Sequence, residues 1–367
     1  MGPLGLPAEG YPRAADGPVP FERLLVLRFG RIGDLLVLTP ALRAIARARP
    51  GARIDVLTTA LGAAALSTSP YASCLHVLRW RRGSRWLNPE KALLVRRLRR
   101  LRFDAALVFE SAPRYHALAA ALSIPRVYSL ARPGVEPRPL QVREDPALHS
   151  AGNLDRVLVC AGIRHAGWHY DLPIPDQSRA RADALLREHG LDPQSRLVGI
   201  HAGHFQRHRR WRRKRGAKAW PPERFGEVMR RLRAQGARGF VMTGSADERA
   251  LVREVAAYPP GAPIADLAGR TDVSTLAAVI ARCRLFLSAD TGPAHVAAAV
   301  RTPLVALFSR VPPARMGPLG VEGRIQRIYK DPVDVPAHDR RDFHPRMWAI
   351  DVDDVMAAIA RLDVALA

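Results

Sequence analysis

The sequence predicts an α/β fold made of two doubly wound halves, and three observations carry that prediction. Short apolar runs alternate with stretches whose apolar residues recur at helical spacing. A turn containing Gly30 and Gly33 joins the first run directly to the first helical stretch. The alternation breaks at Pro173, Pro175 and the polar stretch Asp176-Gln177-Ser178, and then begins again. Such alternation gives a parallel sheet covered by helices. A chain of 367 residues is long enough for two domains that each bury a core.

The elements follow in order. Leu24 to Leu27 reads as a strand, and Leu38, Leu42 and Ile45 lie on one face of the helix behind it. Further strands are expected at 54–57, 105–109 and 126–129, with helices around 60–67, 89–102, 113–122 and 150–161. After the break, a helix at 178–189 precedes strand 197–201, helix 221–235, strand 239–243 and helix 247–257. Strand 264–267, helix 273–282, strand 285–288, helix 293–300 and strand 304–308 complete the series. Phe225, Val228, Met229 and Leu232 stand at i, i+3, i+4 and i+7, so helix 221–235 has one buried stripe. Pro221 and Pro222 suit its first turn. The expected organisation is a loose Gly- and Pro-rich tail over 1–20, a first Rossmann-like domain over 21–172, a second over 173–350, and a terminal helical segment over 351–367. Two such domains are expected to face each other across a cleft, with ligands at the carboxyl ends of the strands.

Composition narrows the function. The chain has 57 Lys and Arg against 34 Asp and Glu, a formal charge of +23, yet 48% hydrophobic residues, which excludes a disordered basic chain. Only four of the basic residues are lysine. Cys74, Cys160 and Cys283 lie far apart and make neither a metal-ligand spacing nor a disulfide framework, as expected of a reducing cytoplasm. No apolar run reaches the length of a membrane span, and the N-terminus lacks a basic start with an apolar signal core. Any membrane role is therefore expected to be peripheral.

Several loops carry chemistry. Gly30-Arg31-Ile32-Gly33-Asp34 is not a dinucleotide fingerprint, because an acidic residue closes it and would repel a pyrophosphate. Asp34 has two readings: a base that takes a proton from an attacking hydroxyl, or a cap on the next helix. Thr39-Pro40 can itself supply an N-cap and first turn, which would leave Asp34 free. In the second half, Asp290-Thr291-Gly292-Pro293-Ala294-His295 follows a strand and opens a helix, whose N-H groups at Thr291 and Gly292 suit a phosphate. The plain alternative is a strand-to-helix turn with Asp290 as cap and His295 packed. Lys218 pairs with a diphosphate or is a solvated charge. Glu248, in Gly244-Ser245-Ala246-Asp247-Glu248, holds ribose hydroxyls or caps a helix. Gly269-Arg270-Thr271 borders a base-binding slot or makes a turn. Four such loops at one sheet edge favour a nucleotide diphosphate site over four independent caps.

The motifs Arg31-Ile32-Gly33-Asp34 with Thr39-Pro40-Ala41-Leu42, Lys218-Ala219-Trp220-Pro221, Leu267-Ala268-Gly269-Arg270-Thr271 and Asp290-Thr291-Gly292-Pro293-Ala294-His295, followed by Pro303, resemble the heptosyltransferase family of bacterial glycosyltransferases. The likeness covers about residues 23–310, and the Asp-Thr-Gly-x-x-His box is its most specific part. It implies a GT-B fold, an ADP-activated heptose donor and an inverting transfer to a glycolipid hydroxyl. It also implies Asp34 as base, Lys218 on the diphosphate, and Asp290, Thr291 and Gly292 in the donor loop, with Glu248, His295, Gly269 and Thr271 also on the donor side. No cofactor beyond the nucleotide sugar is expected. Residues 331–347 contain no cysteine, unlike metal-binding relatives, so no metal is expected. The loop from His204 to Lys218 is longer and more basic than the family pattern.

The charge is concentrated. Residues 79–103 hold ten basic residues and one acid, with Trp80, Trp86 and Leu87 interleaved, and residues 207–218 hold eight basic residues and no acid. Arg96, Arg97, Arg99 and Arg100 alternate with Leu94, Leu98 and Leu101, as on a helix with one apolar face. They read either as a solvated face or as a surface for an anionic glycolipid acceptor or the inner membrane. One competing reading keeps the fold and changes the substrate to another nucleotide sugar or to a small-molecule or protein acceptor. A nucleic-acid-binding protein is the competing class, but no nucleic-acid module is present and the Asp-Thr-Gly box has no role in it.

Overall fold

The computed structural model describes residues 21–79, 89–165, 167–203, 218–258, 260–321, 323–336, 338–339, 343–362 and 364. The N-terminal tail, and the expectations for residues 80–88 and 204–217, lie outside them. The chain divides into two compact units, one ending at Asp171 and one beginning at Leu172.

The first unit runs β1 (Arg23–Leu27), α1 (Ile32–Ala48), β2 (Arg53–Thr58), α2 (Ala60–Leu66), β3 (Cys74–Val77), α3 (Pro89–Arg100), β4 (Ala105–Val108), α4 (Pro113–Ala121), β5 (Arg126–Ala131), β6 (Gln141–Arg143) and α5 (Ser150–Cys160). Its sheet has the order β3-β2-β1-β4-β5-β6, and every neighbouring pair is parallel. β1 and β4 are buried on both faces, which is why they read as unbroken apolar runs rather than alternating ones. The short edge strands β3 and β6 were not expected. They are only partly buried, and without a continuous apolar run they leave no periodic signal.

The second unit runs α6 (Asp176–Glu188), β7 (Leu197–His201), α7 (Pro222–Ala234), β8 (Gly239–Met242), α8 (Arg249–Ala256), β9 (Ile264–Asp266), α9 (Val273–Ala281), β10 (Cys283–Ala289), α10 (Gly292–Ala299), β11 (Leu304–Leu307), α11 (Pro313–Met316), β12 (Ile325–Ile328), α12 (Pro345–Ala349) and α13 (Val352–Ala360). Its sheet order, β12-β11-β10-β7-β8-β9, is also fully parallel. Counted from its own first strand, it repeats the order of the first unit. Both sheets therefore reverse direction beside their first strand: between β1 and β4, and between β7 and β10. A doubly wound sheet opens a crevice at that point. Edge strand β12 and the short helices α11 and α12 were missed for the same reason as β3 and β6.

The α7 stripe of Phe225, Val228, Met229 and Leu232 is fully buried, packed with Trp220 and with Val355, Ala358 and Ile359 of α13. The Trp220 indole meets Phe225 edge-on and donates from Nε1 to the Ile350 carbonyl at 2.9 Å, tying the chain before α7 to the chain before α13. The terminal segment is thus part of the second core.

One local expectation is corrected. α1 does not start at Thr39-Pro40; it starts at Ile32 and runs through Pro40. Proline has no N-H, so the carbonyl of Leu36, four residues back, loses its helical donor. The Thr39 hydroxyl donates to that carbonyl at 2.8 Å, and Thr39 Oγ1 in turn accepts the Asp171 N-H at 2.9 Å. Thr39-Pro40 is therefore a repaired break inside a helix.

Candidate active site

In the first unit, the chain leaves β1 at the switch point and turns through Arg28, Phe29 and Gly30 into α1. Neighbouring strands grip the turn: the Arg28 N-H donates to Leu57 O, and the Phe109 N-H to Leu27 O. Asp34 occupies the first turn of α1, and its Oδ2 accepts the Arg31 N-H at 2.9 Å. The capping role weighed for Asp34 is therefore present, and the idea that Thr39-Pro40 frees it is wrong. The cap occupies one oxygen only. Oδ1 lies 3.5 Å from Arg28 Nη2, and the side chain keeps a quarter of its surface exposed. A Cβ at residue 30 would collide with this carboxylate, so the turn requires Gly30.

Two charged residues that the sequence reading passed over complete this corner. Arg28 is buried, and its Nη1 donates to the Phe109 carbonyl at 2.7 Å. Glu110 follows β4; its Oε1 accepts the Phe29 N-H at 2.8 Å and lies 3.9 Å from Arg28 Nη1. Burial pushes the Glu110 carboxyl above the usual carboxylate range, with the Arg28 charge opposing and the Asp34 charge assisting. The available signal was a charged residue closing each of two fully apolar strands.

In the second unit the corresponding corner lies between the ends of β7 and β10. Lys218 stands in the chain between β7 and α7, and Asp290 directly follows β10. Lys218 Nζ meets the Asp290 carbonyl and lies 2.5 Å from Asp290 Oδ2; the lysine side chain is one-fifth exposed and the aspartate nearly buried. Lys218 is thus not a solvated charge, and Asp290 is not the cap of α10. The helix starts at Gly292 with Thr291 as N-cap, and no side chain caps it. The Thr291 hydroxyl turns back instead, donating to Ala289 O at 3.1 Å. The uncapped first turn of α10 and the Lys218 ammonium sit at the same sheet edge, an arrangement that can take an anionic group. His295 is buried one turn into α10.

Glu248, Gly269 and Thr271 lie after β8 and β9, on the far side of β7 from β10. Glu248 Oε2 accepts the Ser245 N-H at 2.7 Å in a capping box, so its capping role is present too. Its carboxylate packs against Gly203, where a Cβ would stand 2.5 Å from Cδ. Beneath it, His201 Nδ1 lies 3.1 Å from both Thr243 O and Thr243 Oγ1, and burial pushes the imidazole below its ordinary range, against the raising effect of Glu248. Gly269 has φ +71 and backs onto Ala246, with a would-be Cβ 2.9 Å from that Cα. Its N-H donates to Gly244 O at 2.8 Å, locking the β8 and β9 loops together. Thr271 stands half-buried just beyond.

Arg96, Arg97, Arg99 and Arg100 are exposed on α3, where Leu98 is buried and Leu93 is 65% exposed. Among the described residues, Asp55, Cys74 and His76 bring three ligand-type atoms within 4.8 Å of one another. The Asp55 carboxylate is already engaged, by Arg53 Nε at 2.9 Å and His76 Nε2 at 2.9 Å.

The sequence profile of glycosyltransferase family 9 (heptosyltransferase) matches residues 92–332. The chain belongs to glycosyltransferase family 9. Lipopolysaccharide heptosyltransferase 3 of Escherichia coli is 33% identical over 147 residues, which are 40% of this family 9 chain and 43% of that protein. The chain thus spans less than half the length of that curated relative. Among solved structures, a family 9 glycosyltransferase from Veillonella parvula aligns with a TM-score of 0.73 at 20% identity, over 93% of this chain and 97% of the other. E. coli heptosyltransferase WaaC with ADP-2-deoxy-2-fluoro heptose aligns with a TM-score of 0.62 at 18% identity, over 92% and 99%. Those two likenesses establish the GT-B class of fold for this family 9 member, with two parallel-sheet, Rossmann-like domains.

Proposed function

We propose that the protein is an inverting glycosyltransferase that moves a heptose from an ADP-activated donor to a hydroxyl of a glycolipid acceptor in the lipopolysaccharide inner core. The observation that carries this reading is the second switch point: Lys218, Asp290 and the uncapped start of α10 converge there, in a family whose solved member WaaC is bound to an ADP-heptose analogue.

In this reading the acceptor oxygen forms its bond to the anomeric carbon as the bond from that carbon to the diphosphate breaks, and ADP leaves with the electron pair. Asp34 takes the hydroxyl proton through the part of its carboxylate left exposed beside the Arg31 N-H. Lys218 and the N-H groups at Thr291 and Gly292 stabilise the leaving diphosphate, and preorganised charge of this kind is the largest contribution at many such sites. Glu248 offers its second oxygen to the ribose, Gly269 and Thr271 border the base, and His295 supports the donor loop from within α10. These cationic and N-H groups supply the charge stabilisation without a cofactor. The enzyme then acts at the cytoplasmic face of the inner membrane as a peripheral protein, and no helix among the described residues is long and apolar enough to cross a membrane.

The test offers purified protein a panel of nucleotide sugars with a heptose-deficient lipopolysaccharide acceptor. Transfer from ADP-heptose with inversion at the anomeric carbon is expected. Preferred turnover of another nucleotide sugar redirects the donor assignment, and failure to bind any nucleotide diphosphate overturns the reading.

The exposed arginines of α3 make a second expectation. Replacing Arg96, Arg97, Arg99 and Arg100 by Gln should weaken binding to vesicles of anionic phospholipid or raise the KM for acceptor, increasingly so at low salt. Nucleotide affinity should not change. Titration of vesicles and of ADP separates the two, and unaltered vesicle binding together with unaltered acceptor KM returns these residues to a solvated face.

A further inference from the structure

We infer that Arg28 is a positioning residue for Asp34, and that Glu110 limits how much of the Arg28 charge acts on that carboxylate. The inference rests on the reading of Asp34 as the base. It starts from how the guanidinium is held. Arg28 Nη1 donates to the Phe109 carbonyl at 2.7 Å and Nη2 to Ser150 Oγ at 3.3 Å, so the residue after β4 and the first residue of α5 set its position without help from either carboxylate. Its side chain is 11% exposed. From that anchored place, Nη2 faces Asp34 Oδ1 at 3.5 Å and Nη1 faces Glu110 Oε1 at 3.9 Å. One buried cation therefore stands between two carboxylates, of which Asp34 is the more exposed.

The arrangement does two things. With Oδ2 on the Arg31 N-H and Oδ1 facing Arg28, the Asp34 carboxylate has a defined rotation, which fixes the direction in which it can receive a proton. A lone cation this close would also hold a base ionised at the cost of making it a weak proton acceptor. Glu110 offsets that, because its negative charge at the other end of the same guanidinium screens part of the cation. Other groups face this corner among the described residues. Arg114 of α4 bears on Glu110, the His116 ring meets the Glu110 carbonyl through Nε2 at 2.9 Å, and Arg31 contributes its backbone N-H to Asp34. Since burial raises the Glu110 carboxyl, falling pH protonates Glu110 earlier than a solvated glutamate. The Arg28 charge then faces a single carboxylate, that of Asp34.

The test is a carboxyl 13C titration of protein labelled at aspartate, with the Asp34 resonance assigned by its loss in Asp34→Asn. Arg28→Met should move the Asp34 midpoint up by about one pH unit or more, and Glu110→Gln should move it down. Arg28→Lys should restore part of the Arg28→Met shift. The acid limb of the kcat/KM profile should move in the same directions, with ADP affinity unchanged. A midpoint that stays in place in folded Arg28→Met, or in folded Glu110→Gln, overturns the inference, even where activity falls. Turnover surviving in Asp34→Asn instead overturns the base assignment, and the titration still reports on Arg28 and Glu110.

Discussion

Asp34→Ala is expected to abolish sugar transfer while leaving nucleotide binding in place. A positioned general base contributes about 10²- to 10⁴-fold to a rate, and Asp34 is the more exposed of the two carboxylates at the first unit's switch point. The residues assigned to the donor all lie in the second unit, beyond Asp171. ADP affinity, measured by calorimetry, should therefore match that of the unmodified protein. Alanine also removes the acceptor of the Arg31 N-H and weakens the start of α1. Asp34→Asn controls for this, because its amide oxygen can still accept that N-H while the side chain no longer takes a proton at neutral pH. Both variants should lose turnover, and the asparagine should lose less thermal stability. Undiminished transfer by either variant would remove Asp34 from the mechanism.

Lys218→Met is expected to damage both donor binding and turnover. The ammonium is the charge placed beside the uncapped start of α10, and loss of a comparable preorganised donor costs about 10²- to 10³-fold in rate. The effect has a second source in this protein. Asp290 Oδ2 lies 2.5 Å from Lys218 Nζ, so removing the lysine leaves a nearly buried negative charge facing the proposed diphosphate site. Affinity for ADP should fall more than affinity for adenosine, which lacks the phosphates. Equal losses for the two ligands, or none, would show that Lys218 does not serve the diphosphate.

The two-unit α/β organisation and the strands of both sheet centres were legible because buried parallel strands are continuous apolar runs and their helices carry one apolar stripe. Edge strands β3, β6 and β12 have weaker burial to report, and they were missed. Candidate site residues were legible where a loop follows an apolar run. Arg28 and Glu110 were not, because a charge at the end of a strand reads as an ordinary exit to solvent until the chain on either side buries it.

By itself, the sequence determined the residue types at each strand end, the concentration of positive charge in two segments, and the resemblance carried by Asp34, Lys218 and the Asp290 to His295 box. Only the tertiary structure decided which partners hold these groups in the fold. Asp34 and Glu248 each spend one carboxylate oxygen on a cap, whereas Asp290 caps nothing and holds Lys218. Thr39-Pro40 mends a helix rather than starting one. The physical reason is common to these cases. A carboxylate, hydroxyl or ammonium can satisfy its hydrogen bonds locally or across the fold, and local spacing in the chain is the same for both. The choice is made by partners 72 residues away for Lys218 and 132 residues away for Thr39, brought together by sheet order and helix packing.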